Sequence, residues 1–264
     1  MTFLERLEQT DQLLCLGLDP VPERIPEEFG QGVEAAERFL STLLEEAKAR
    51  DLLPPTLKPN LAYFEQYGWH GWKLLEELVA RWSVHCTIIL DAKRGDIGRS
   101  SAAYGKAMFE DLKGHAVTLQ PWMGPESIEP FTHYFGSCGG YLLLRTSNPG
   151  SDLLQGDNWL SLMDSIDQWD RTGQLGFVVG ATRPEELEQV ILEKRCERPL
   201  LIPGVGAQGG SATQVRDLIR RAPQPRRHRV NVSSGILYAH QKGGRFPESN
   251  LEALRSFGEQ LRLS

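Results

Sequence analysis

Residues 86–98 read CTIILDAKRGDIG. The first five, Cys86 to Leu90, form an apolar run without polar alternation. A strand that is apolar on both sides is buried on both faces, the habit of parallel sheets covered by helices. The run then ends in Asp91, Lys93, Arg94 and Asp96, four charges within six positions. A core strand that carries charge only at its C-terminal end describes a buried β-strand opening onto a polar site.

Seven further stretches repeat the pattern. They are LLCLGLD (13–19), TLKPN (56–60), AVTLQ (116–120), GYLLLR (140–145), QLGFVVG (174–180), PLLIPG (199–204) and RVNVSSG (229–235). Between the strand runs lie amphipathic segments such as EAAERFLSTLLEEAKAR (34–50) and GWKLLEELVARW (71–82). In the latter, Trp72, Leu75, Leu78, Val79 and Trp82 recur at spacings of three and four, one face of a helix. Thr182, with Glu185 three residues on, is expected to form a capping box at the start of another helix. Strands alternating with helices imply parallel strands joined by right-handed crossovers. Eight such units match a (β/α)₈ TIM barrel, which needs about 250 residues. We therefore expect an α/β chain forming one barrel domain over residues 1–264, with an open doubly wound sheet as the alternative. SNPGSDLLQGDN (147–158) is expected to be a loop on the catalytic face.

Composition narrows the function. The chain has 264 residues and a net charge of −6, with a pI near 5.6. That balance argues against non-specific nucleic-acid binding. The basic run RRAPQPRRHR (220–229) lacks interleaved aromatics for stacking bases and reads as a solvated helix end and loop. Four separated cysteines without a CxxC pair read as reduced core residues of a cytoplasmic protein. The N-terminal residues show no secretory h-region, and no apolar run approaches the ~18 residues of a membrane span. The histidines show no metal-ligand spacing.

On a barrel, active sites lie at the C-terminal ends of the strands. The polar residues there are Asp19, Lys58, Asn60, Asp91, Lys93, Asp96, Thr146, Ser147, Gln208, Ser233 and Ser234. Asp91 and Lys93 are two apart, so on a strand they point to the same side. Charges facing the barrel interior need partners, and Lys58 on the neighbouring strand is placed to supply one. The result is an alternating array of Lys58, Asp91 and Lys93. Asp96, beyond Gly95, either folds back onto it or reaches into another subunit. Taken alone, such an array is also consistent with a salt-bridged strand end that has no chemistry.

The sequence resembles the orotidine 5′-monophosphate decarboxylase family, in its longer bacterial (type 2) form. Asp91, Lys93 and Asp96 match the family's Asp-x-Lys-x-x-Asp motif, Lys58 in LKPN its strand-2 lysine, and Asp19 in GLDP its first-strand aspartate. RTSNPGS and PGVGAQGG match the long form as well, and the similarity runs from about Phe3 to Tyr238. Asp-x-Lys-x-x-Asp alone is shared with sugar-phosphate relatives. The resemblance implies removal of CO₂ from orotidine 5′-monophosphate to give UMP, the last step of de novo pyrimidine nucleotide synthesis, with no metal and no cofactor. It implies that Lys93 stabilises and protonates the C6 carbanion, that Asp91 sits beside the substrate carboxylate, and that Lys58 and Asp96 hold the array. It also implies a homodimer in which Asp96 and Ile97 cross to the partner's site. Asp19 would accept a ribose hydroxyl, Thr146 and Ser147 would read the pyrimidine edge, and Gln208 would bridge base and phosphate. Asn60, Gly209, Ser234 and Gly235 complete the expected substrate contacts.

One residue departs from the family. The family carries an arginine against the phosphate immediately before the glycine of strand 8, and this chain has Ser234 there. That leaves room for a related sugar-phosphate decarboxylase or aldol-type barrel enzyme. A non-catalytic nucleotide-binding paralogue is the third reading. Gly204, Gly206 and Gly209 also fit GxGxxG formally, but a dinucleotide fold places that motif in its first βα turn, whereas here it follows the seventh strand.

Overall fold

The structure, a computed structural model, describes residues 1–156, 158–206 and 209–264. Eight parallel strands close into a ring in sequence order, with β1 paired to both β2 and β8. They are β1 (Leu14–Leu18), β2 (Thr56–Pro59), β3 (Thr87–Arg94), β4 (Ala116–Leu119), β5 (Gly139–Arg145), β6 (Leu175–Val179), β7 (Leu200–Ile202) and β8 (Arg229–Val232). Each lies within or beside one of the eight apolar runs. The barrel is closed, so the open-sheet alternative falls.

The α-helices are α1 (Phe3–Glu8), α2 (Gly32–Ala49), α3 (Ala62–Glu65), α4 (Gly68–Trp82), α5 (Gly98–Lys106), α6 (Glu129–Thr132), α7 (Asn158–Trp169), α8 (Pro184–Glu188), α9 (Ala212–Ile219), α10 (Ser234–Leu237) and α11 (Glu248–Gln260). The larger ones wrap the ring and supply its outer core. In α4, Leu74, Leu75, Leu78, Val79 and Trp82 are buried and Trp72 partly so. Each such side chain contributes about 1.5–3 kcal/mol by leaving water.

The capping box does not form. α8 starts at Pro184, so Arg183 occupies the cap position without a side-chain bond, and the Thr182 hydroxyl has no partner among the described residues. Proline suits the first helical position because its missing N–H needs no acceptor, and this shifts the start past Thr182.

A second core fills the barrel interior. Cys15, Ile89, Tyr141 and Leu201, from alternate strands β1, β3, β5 and β7, pack with Ala116 and Val178. α1 lies across the bottom of this cluster, where Phe3 and Leu7 are fully buried. Gly139 makes room for the plug, since a Cβ there would stand 2.1 Å from the Phe3 ring. The basic run at 220–229 is only partly solvated. Arg229 opens β8 and is 0% exposed. Its guanidinium donates to Thr56 Oγ1 and to the carbonyls of Arg226, His228 and Leu7, at 2.7–2.9 Å. Facing the barrel interior, it satisfies its donors with carbonyls instead of water, which the sequence pattern does not reveal.

Candidate active site

β2 and β3 lie side by side, and an isolated bridge between Asn60 and Asp91 extends their pairing to the strand ends. That adjacency brings the charged array together. Lys58 Nζ donates to Asp91 Oδ2 at 2.6 Å, and Lys93 Nζ donates to Asp91 Oδ1 at 2.6 Å. Thr118 on β4 adds a hydroxyl donor to Oδ1 at 2.9 Å. Both carboxylate oxygens are therefore held, by groups from three successive strands. Side-chain exposure ranks the members: Lys58 6%, Asp91 9% and Lys93 50%. Lys93 is the charge that faces outward.

Burial alone would raise the Asp91 carboxyl, but the Lys58 and Lys93 ammonium groups beside it outweigh that effect and hold it well below the ordinary carboxylate range. Burial likewise works against the Lys58 ammonium, yet Asp91, and behind it Asp19, hold it above the ordinary lysine value. Asp91 is thus ionised at neutral pH, as alternation of sign requires.

The two-residue spacing of Asp91 and Lys93 is not regular strand geometry. The β3–β4 register shifts between Leu90 and Arg94, and Lys93 has a left-handed φ of +47°. The Lys93 ammonium still reaches the Asp91 carboxylate, through a bulge instead of simple alternation. Arg94 turns away to pair with Glu65. Asp96 is half-buried and makes no ion pair among the described residues; its Oδ1 accepts the Ile97 N–H at 2.7 Å. It does not fold back onto the array. Ile97 is 55% exposed.

The remaining candidates surround this floor. The Asp19 carbonyl accepts the Tyr238 hydroxyl at 2.6 Å, while its buried Oδ1 has no partner among the described residues. Ser233 Oγ is buried and unpartnered in the same way. Asn60 turns its amide oxygen to the Ala62 N–H. Thr146 is knit to Gln155, whose Oε1 accepts its backbone N–H at 2.8 Å. Ser147 packs against Gly180, where a Cβ would lie 3.1 Å from that of Ser147. The loop after β5 is tied down from beneath by buried Arg145, which binds Ser151, Asp152 and Glu186. After β7, the loop closes on itself through bonds of the Gly206 N–H to the Gly210 carbonyl and the Gly210 N–H to the Gly204 carbonyl. Gly209 has a φ of +96° there, and Gln208 lies outside the described residues. Ser234 and Gly235 open α10, with Gly235 facing Val232 and Phe257.

Reading the sequence missed Thr118, Tyr238, Gln155 and Asn231 as members of this region. Asn231 projects from β8 beside Gly17 and accepts from Cys15. Thr118 and Asn231 sit in short, unremarkable strand runs and give no local signal. Tyr238 marks only the approximate end of the family resemblance.

Known proteins resemble the chain along nearly its whole length. The chain is 40% identical over 259 residues to orotidine 5′-phosphate decarboxylase of Delftia acidovorans, covering 91% of each. Its structure resembles that of Leishmania donovani OMP decarboxylase with a TM-score of 0.80 and 30% identity, covering 99% of this chain and 98% of that one. It also resembles Leishmania donovani UMP synthase, with a TM-score of 0.81 and 31% identity, where it covers 98% of its own length but only 54% of the longer protein. The model of the orotidine 5′-phosphate decarboxylase / HUMPS family matches residues 12–244, so the chain belongs to that family.

Proposed function

We infer that the chain decarboxylates orotidine 5′-monophosphate to UMP, on a single barrel domain and with no cofactor. The observation that carries this reading is the Lys58–Asp91–Lys93 array, buried at one end and open at Lys93. The departing CO₂ leaves an electron pair on C6 that the pyrimidine ring cannot delocalise, so a fixed positive charge has to meet it. Lys93 would do so and then hand its proton to C6. Asp91, held ionised, would lie against the substrate carboxylate. Two such charges about 4 Å apart repel by roughly 4 kcal/mol at an effective dielectric near 20. Relief of that repulsion on loss of CO₂ is worth about three powers of ten in rate. The larger share falls to stabilisation that grows toward the transition state, from a preorganised ammonium that need not reorient.

Asp19 Oδ1 and Ser233 Oγ, unpartnered among the described residues, are acceptors suited to substrate hydroxyls. Thr146 and Ser147, on a loop anchored by Arg145, fit the pyrimidine edge. Gly209, Ser234 and Gly235 offer backbone N–H groups to the phosphate, with Gln208 bridging base and phosphate and Asn60 lining the wall. We further propose a homodimer in which Asp96 and Ile97 complete the partner's site. Asp96 lacks an ion pair within its own chain among the described residues, and Ile97, Trp122 and Met123 expose 55%, 69% and 48% of their surface on the loops after β3 and β4. Four free cysteines and a nucleotide substrate fit a cytoplasmic setting. No helix among the described residues is long and apolar enough to cross a membrane.

The test is loss of orotidylate absorbance with purified, metal-free protein. Turnover that Lys93→Ala abolishes supports the reading; no turnover sinks it. Ser234 in place of an arginine keeps one rival open, a sugar-phosphate barrel enzyme, and activity on such a phosphate that a chelator removes would favour it.

A further inference from the structure

We propose that Thr118 is a positioning residue for the charged array, fixing the backbone from which Lys93 projects and the Asp91 oxygen that Lys93 grips. The proposal rests on the decarboxylase reading of that array. Four non-glycine residues among those described have a positive φ: Asp51, Lys93, Lys113 and Arg195. Three of them stand just past the C-caps of helical segments, where a left-handed residue is the ordinary way to stop. Lys93 alone lies within a strand, in the bulge where the β3–β4 register breaks.

A side-chain-bearing residue rarely adopts this conformation, and it persists only where its surroundings hold it. Here the Lys93 backbone N–H donates not to a strand carbonyl but to Thr118 Oγ1, at 2.9 Å. Having accepted that bond, the hydroxyl directs its own proton to Asp91 Oδ1 at 2.9 Å. Lys93 Nζ donates to the same oxygen at 2.6 Å. One hydroxyl thus closes a ring running from the Lys93 backbone through Asp91 to the Lys93 ammonium. Thr118 is 1% exposed, belongs to the neighbouring strand, and as a β-branched residue has a stiff first torsion. It is uncharged, so it acts by placing the ammonium, not by stabilising charge at C6. Misplacing a reacting group by about 1 Å costs on the order of a hundredfold in rate.

Thr118→Val keeps the shape and removes the hydroxyl. The expected result is a fall in kcat of about tenfold to a hundredfold, with KM for orotidylate held within about twofold. Thr118→Ser should recover most of the loss, since it restores the hydroxyl without the methyl. A crystal structure of Thr118→Val should show Lys93 out of its left-handed turn. If Thr118→Val does not fold, as judged by circular dichroism, the comparison passes to Ser against Ala, which differ by the hydroxyl alone. Unchanged kcat in Val, or equal losses in Ser and Ala, overturns the proposal. So does a Val variant structure that keeps both the turn and the Lys93–Asp91 contact, whatever its activity. Wild-type protein inactive on orotidylate refutes the decarboxylase reading instead, and the variant structure still decides the placement.

Discussion

Lys58→Met removes the most deeply buried cation of the array and fills its volume with an apolar chain. Lys58 Nζ lies 2.6 Å from Asp91 Oδ2. At that distance and an effective dielectric near 20 the attraction is about 6 kcal/mol. Deleting the ammonium also returns the cost of having buried it, so the net loss is about 3–5 kcal/mol, the usual penalty for stranding one partner of a buried pair. The same energy expressed as proton affinity is about 2–4 pH units on Asp91. The carboxyl now sits well below its ordinary value of 3.8. A depressed carboxylate contributes stability that is present above its unfolded pKa and is lost as pH falls through the folded one. In the variant the carboxyl rises back toward its ordinary value, so that acid-side loss of stability shrinks and Asp91 takes up its proton at a higher pH than in the parent. Two assays report it. Urea unfolding at neutral pH should show the loss of about 3–5 kcal/mol directly, and the kcat profile should gain an acid limb as Asp91 takes up a proton and Lys93 loses its anchor. A variant within about 0.5 kcal/mol of the parent, with an unmoved acid limb, would refute the claim that Lys58 holds Asp91 ionised.

Two imidazoles, one buried and one half-buried, make a separate prediction. His115 and His228 accept backbone N–H bonds from Ile88 and Leu200, and burial, aided by nearby arginines, holds them at about 4 and about 3 against 6.5 in the open chain. The unfolded chain therefore takes up protons first, so stability is full above about pH 6.5 and declines below it, by about 2 kcal/mol for each ring at about pH 5; urea unfolding across that range should show the slope, and His115→Gln or His228→Gln should flatten it. Gly176→Ala should cost about 3 kcal/mol, roughly 6–12 °C in Tm, because its Cβ would stand 1.9 Å from the Pro199 carbonyl and backbone would have to move; an unchanged melting curve contradicts this. If Asp96 serves the partner's site, mixing inactive Lys93→Ala with inactive Asp96→Ala protein and allowing exchange should restore about a quarter of wild-type activity, since half the dimers become mixed and each then has one intact site. No recovery after demonstrated exchange would place Asp96 in its own chain's site.

The eight strands were legible because both faces of each are buried, which writes a continuous apolar run into the sequence. The helices were legible through their three-and-four spacing. Lys58, Asp91 and Lys93 stood out because charge at the end of a core-bound run is costly unless a site makes use of it. What could not be read depends on geometry that residue types do not encode. The left-handed turn at Lys93 falls on a residue with no preference for it, so β3 looked regular when it is bulged. Thr118 sits in AVTL, an ordinary strand run, and acquires its place only from β3 beside it. Arg229 looked like one more solvated arginine in a basic run, and only the strand start at that residue turns it inward. Thr182 and Glu185 had the right spacing for a cap, but Pro184 set the helix start instead.

The helix beneath the barrel has a consequence for traffic. Phe3 and Leu7 seal the lower end, and Cys15, Ile89, Tyr141 and Leu201 fill the space above them. The site is blind-ended. Nucleotide, carbon dioxide and product all pass through one mouth, so gas and product cannot leave by separate exits. Substrate entry and product release share one route, and turnover is open to control by release as much as by bond breaking.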